Sequence, residues 1–144
     1  QLKEGERKAT GFFGRASSSH GILNTLEAEG TKLRNYLSGV LPFGNYLRTP
    51  EGQQYDQAKR DFINAILRQE SGAVIGVEEF ENAEKQYFPQ PGDTTAVIEQ
   101  KRRNRANAIA GLKVSAGAGA EIIEKELSKQ TEQGGFSVTG QVGG

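Results

Sequence analysis

Glu70 lies in the stretch ILRQESGA, a carboxyl group at the foot of a helical pattern. A glutamate placed there can serve as a general acid if a partly apolar cleft keeps it protonated. The plainer reading is a charged residue in the last turn of a helix, since so short a motif recurs by chance. The run EQKRRNR, Glu99 to Arg105, is the second candidate. Lys101, Arg102, Arg103 and Arg105 are suited to phosphate contact with nucleic acid or acidic lipid. Lys101 and Arg105 share one helical face and the other two flank it. No aromatic residue is interleaved for base stacking. The alternative is a solvated face paired with the acidic stretch VEEFENAE. His20, in SSSHG, has neither a second histidine nor a cysteine to share a metal, and no evident nucleophile beside it. SAGAGA, Ser115 to Ala120, lacks the Lys-Ser/Thr ending of a phosphate loop and reads as a helix break. Glu78, Glu79, Glu81 and Glu84 lack calcium-loop spacing and suit the N-terminal part of a helix. The residues thus assemble no catalytic constellation, cofactor site or metal site. They read as a helical interaction module, not an enzyme.

The elements that must carry these residues are all helical. The chain has 144 residues, enough for one modest domain, and no alternating strand pattern or internal repeat. Mean hydropathy is −0.61, low for a compact globule. Basic and acidic residues number 18 each, so net charge gives no reason to expect nucleic acid as the main partner. Without cysteine, disulfides and thiol chemistry are excluded. No apolar run approaches the ~18 residues of a membrane span, and no secretory leader pattern opens the chain. The absence of methionine and the start at Gln1 lead us to expect residues before Gln1 in the natural protein.

We expect an all-α fold of three to five helices. Residues 1–40 form a glycine-interrupted helical segment, whose apolar positions Phe12, Phe13, Ala16, Ile22, Leu23 and Leu26 need a partner surface. Residues 41–116 form the core unit. Residues 117–130 form a C-terminal helix, and 131–144 a flexible tail. In the core unit, Thr49, Pro50 and Glu51 mark a helix start. Tyr55, Phe62, Ile63, Ile66 and Leu67 give it one apolar stripe, and Gly72 stops it. YFPQPGD, 87–93, reads as a rigid corner. Tyr87 and Phe88 anchor it, Pro89 ends a helix, Pro91 and Gly92 turn the chain, and Asp93 caps the next helix. The candidate interaction residues are Tyr55, Phe62, Ile66, Tyr87, Phe88, Lys101, Arg102, Arg103 and Arg105.

Three stretches taken in order carry a resemblance: FGNYLRTPEGQQYDQAKRDFINAILRQESGAVI, EEFENAEKQYFPQPGD and AVIEQKRRNRANAIAGL. Together they resemble the C-terminal region of internal virion proteins of tailed bacteriophages and prophages, the ejection or DNA-transfer type. The resemblance covers about half the chain, Leu41 to Leu112. It implies a helical, multimeric structural protein of the virion, held in the capsid interior, at the portal or in the tail. Its partners would be copies of itself and portal or tail components, with packaged DNA and the host envelope met on ejection. It brings no catalytic residue and no cofactor. In that role the helix weakened by Gly5, Gly11, Gly14 and Gly21 would help the protein unfold for passage through a narrow channel. Separately, the Gln-Glu-Ser of ILRQESGA resembles the signature of lytic transglycosylases, which would make Glu70 the acid of a peptidoglycan hydrolase. The small-residue pattern that follows in that family is absent here, where VIGVEEFENAEK stands instead.

Overall fold

The computed structural model describes residues 1–72 and 74–132. Among them the chain forms seven helices and no strand: α1 Glu4–Glu29, α2 Thr31–Leu37, α3 Phe43–Tyr46, α4 Pro50–Ser71, α5 Val77–Tyr87, α6 Thr95–Ala116 and α7 Gly119–Glu132. The fold is all-α. Five helices have 11 to 26 residues, and α2 and α3 are short pieces of seven and four. The tail expected at 131–144 lies outside the described residues from 133 onward, and 131–132 end α7.

The helix α4 follows from local chemistry. Thr49 Oγ accepts the Gly52 N–H at 2.9 Å, Pro50 stands at the first helical position, and Glu51 follows in the first turn. The helix ends on Gly72, a left-handed residue at φ 69° whose N–H bonds back to Arg68 O at 2.8 Å. Tyr55, Ala58, Phe62, Ile63, Ala65 and Ile66 fill its buried face.

The helix α1 differs from the broken segment expected of it. It runs unbroken through Gly5, Gly11, Gly14 and Gly21. Each glycine costs up to ~1 kcal/mol relative to alanine, but helices in proteins draw most of their stability from packing. The face Ala9, Phe12, Phe13, Ala16, Leu23 and Leu26 is buried, and α1 makes its two largest interfaces with α4 and α6. Both neighbours run antiparallel to it. Gly30 lies at Glu51 and Lys8 at Gly72 on the α4 side, and Glu6 lies at Gly117 on the α6 side. α7 runs alongside in the same direction as α1, with Gly119 against Thr10 and Ile123 against Gly14. A Cβ at Gly14 would stand 3.1 Å from Ile123 Cδ1, so this glycine admits α7. α1 is therefore the central helix, where the sequence suggested an outer one.

Between α1 and α4 the chain builds two short helices around tyrosines. Tyr46 is fully buried, stacked on Tyr36 at 5.4 Å and tilted against Tyr55 at 5.7 Å. The Glu51 carboxylate accepts the Leu33 N–H at 2.7 Å and the Tyr46 hydroxyl at 3.4 Å. One first-turn residue of α4 thus also satisfies a free backbone donor at the start of α2. Burial, then the charge of Glu51, pushes the Tyr46 phenol well above its ordinary range.

The segment 87–93 is a corner, as its prolines suggest. Phe88 is extended and fully buried, and its ring meets Phe62 edge-on at 5.7 Å, beside a similar Phe62–Tyr87 contact at 5.3 Å. Gly92 turns at φ 92° and donates to Leu37 O at 3.2 Å. One expectation is corrected: Thr94, not Asp93, caps α6, accepting the Val97 N–H at 3.2 Å. The Asp93 carboxylate instead holds the turn, accepting the Gln90 N–H at 2.9 Å and the Lys101 ammonium at 2.5 Å. Burial pulls the Asp93 carboxyl upward, but the bonds from Lys101 and Gln90 and the Lys101 charge outweigh it and hold it below its usual range.

Candidate functional site

The basic run does not form a phosphate-binding stripe. α6 turns Arg105 wholly inward, at 0% exposure, between α1 and the end of α5. Its Nη1 donates to Tyr87 O at 2.8 Å. Nη2 donates to Glu27 Oε1 at 2.9 Å and Asn24 Oδ1 at 3.3 Å, and Nε to His20 Nδ1 at 3.3 Å. The guanidinium also lies over the Phe88 ring, 5.5 Å from its centre. His20, Asn24 and Glu27 are spaced by four and three, so α1 presents all three on one face. A buried guanidinium needs such a full set of acceptors, because it cannot shed its charge.

The rest of the run serves the same joint. Lys101 reaches back to Phe88 O at 3.2 Å as well as to Asp93, and its side chain is only 12% exposed. Arg102 pairs with Glu99 at 2.8 Å and approaches Glu27 at 3.6 Å. Arg103 is the most exposed of the four, at 65%, with Glu99 3.7 Å away. The solvated face paired with VEEFENAE is therefore corrected: these cations pair with Glu27, Asp93 and Glu99. The α5 acid Glu84 is taken by Lys59 of α4, at 2.8 Å. Lys59 is itself buried, its ammonium 5.1 Å from the Phe43 ring centre and 5.6 Å from that of Tyr55.

The aromatic and aliphatic candidates are core residues. Tyr55, Phe62, Ile66, Tyr87 and Phe88 are all buried in one cluster that spans α1, α4, α5 and α6. Their side chains are taken up by the core and not presented at the surface. Burial also raises the phenols of Tyr55 and Tyr87, with Glu70 contributing at Tyr87.

Glu70 is exposed in the last turn of α4, on an open groove of about 250 Å³ lined by Leu67, Glu79, Asn82, Ala83, Gln86 and Tyr87. The apolar enclosure that an acid held protonated requires is not formed there. A second groove, about 510 Å³, lies between the end of α1, α2 and the start of α6, where Leu33, Leu37 and Ile98 face Glu27, Glu99 and Arg102. Among the described residues no group of three or more His, Asp and Glu side chains could hold a metal ion. No helix among them is long and apolar enough to cross a membrane.

Sequence reasoning missed Arg105 as a core residue and His20 as its partner. The available signal was a polar set, His20, Asn24 and Glu27, at helical spacing beside the apolar positions Leu23 and Leu26. No family model, curated protein or solved structure matches the chain.

Proposed function

We propose that this chain is a non-enzymatic structural protein of a tailed-bacteriophage virion, of the internal or ejection type. It assembles as a multimer near the portal or tail and assists delivery of the genome into the host. The observation that supports this reading is the use made of the stretches that carry the resemblance. YFPQPGD and QKRRNR interlock through Lys101, Arg105, Tyr87 and Phe88. The most specific residues of the resemblance are thus spent on holding helices together. Assembly would use what remains outside: Val40, Val74, Val77 and Val114 are 75 to 90% exposed. Such apolar positions suit copies of the chain or portal and tail components. Packaged DNA would be met chiefly through Arg103.

The deciding experiment is quantitative mass spectrometry and symmetry-resolved electron microscopy of purified particles. The reading expects the protein in the particle, in a copy number matching a portal or tail ring. Absence from the particle overturns it.

A further inference from the structure

We propose that His20 is an acid-sensitive latch: on taking a proton it loses its bond to Arg105 and releases α1 from the joint made by α6 and the 87–93 corner. The chemistry follows from the partner. Arg105 Nε donates to His20 Nδ1 at 3.3 Å, and a guanidinium stays charged in proteins. Nδ1 must therefore be the bare, accepting nitrogen, with the ring proton on Nε2. A second proton at Nδ1 removes the acceptor and sets an imidazolium against a buried guanidinium.

Of the groups on the surrounding elements, the charges of Arg105 and Arg102 act on this step, after burial itself. From α6, Arg105 and Arg102 both repel a charged imidazole. From α5, Tyr87 offers only its carbonyl, already taken by Arg105. From α4, Tyr55 is a buried phenol, raised first by burial and then by Tyr36. From α1 itself, Glu27 is the nearby anion, and it is shared between Arg105 at 2.9 Å and Arg102 at 3.6 Å. α7 meets α1 earlier along the helix, at Thr10 and Gly14. Burial, then Arg105 and Arg102, lower His20 from 6.5 to about 4. The folded chain therefore keeps His20 neutral where the unfolded chain would protonate it. The contribution to stability is complete above pH 6.5 and is lost as pH falls from 6.5 toward 4. One proton makes the unfolding equilibrium constant rise by up to about tenfold per pH unit in that window.

The test compares urea unfolding and amide hydrogen exchange of the full chain with those of His20→Gln, from pH 7 to pH 4. Glutamine can accept the same bond through Oε1 and does not titrate. Carboxylates titrate in both proteins and cancel in the difference. The expected result is a pH slope in the native protein steeper by one proton. Protection from exchange at α1 and the corner should fall further toward low pH in the native protein than in His20→Gln. Equal slopes overturn the proposal. Should His20→Gln not fold, the ring C–H signals of His20 in the native protein decide by NMR titration. A midpoint below 5 supports the latch and a midpoint near 6.5 overturns it.

Discussion

Arg105 makes four side-chain hydrogen bonds while fully buried, and its energetics are those of a buried ion. Its value lies less in the attraction to Glu27 than in what each would cost if left alone. Arg105→Met should destabilise the chain by ~3–5 kcal/mol, because Glu27 then keeps a buried charge without its main partner. The double variant Glu27→Leu with Arg105→Met should be clearly more stable than Arg105→Met alone. Urea unfolding of both measures this. A single variant as stable as the native chain would mean that the pair contributes nothing. Phe88 acts differently, by shape. It is fully buried against Phe62, Tyr87 and the Arg105 guanidinium, so Phe88→Ala leaves a cavity and should cost ~3–5 kcal/mol. Thermal melts check it, and an unchanged midpoint would show that the corner is not anchored there.

At the scale of elements, the glycines of α1 divide into two kinds. Nothing lies within 4 Å of a Cβ built on Gly5 or Gly21, whereas one on Gly14 would press on Ile123. Gly5→Ala and Gly21→Ala should each stabilise the chain by ~0.5–1 kcal/mol. Gly14→Ala should gain less or lose, because α7 must give way. Melting midpoints of the three variants test the ordering, and an equal gain at all three would show that α7 does not depend on Gly14. The helix α4 was legible in the sequence because Thr49, Pro50, Glu51 and Gly72 are local signals that tertiary structure left intact. The continuity of α1 was not, because the burial that offsets its glycines comes from α4 and α6. The short helices α2 and α3 were hidden for a related reason. A carboxylate 18 residues away, Glu51, supplies the bond to Leu33. The inward turn of Arg105 was equally out of reach, since its α1 partners lie 78 to 85 residues earlier. A basic run looks alike in one dimension whether its acids are beside it or across the fold.

At the scale of the whole molecule, the exposed apolar positions are where the fold ends and assembly would begin. Val74 and Val77 are 90% and 76% exposed, next to the acidic start of α5. Val74→Asp with Val77→Asp should leave the unfolding free energy within about 0.5 kcal/mol of the native value, as surface changes do. The same variant should lower incorporation into particles or self-association by sedimentation. Full incorporation would exclude this patch as a contact. The central position of α1 has one more consequence, for synthesis. A ribosome makes α1 before either of the helices that enclose it. With its glycines, α1 alone would be a marginal helix in water. Its stripe of Phe12, Phe13, Leu23 and Leu26 stays open until α4 has emerged, and His20, Asn24 and Glu27 wait for Arg105 still longer. Chains stalled before α4 has emerged would expose that stripe to chaperones and proteases, because α1 is made ahead of the helices that house it.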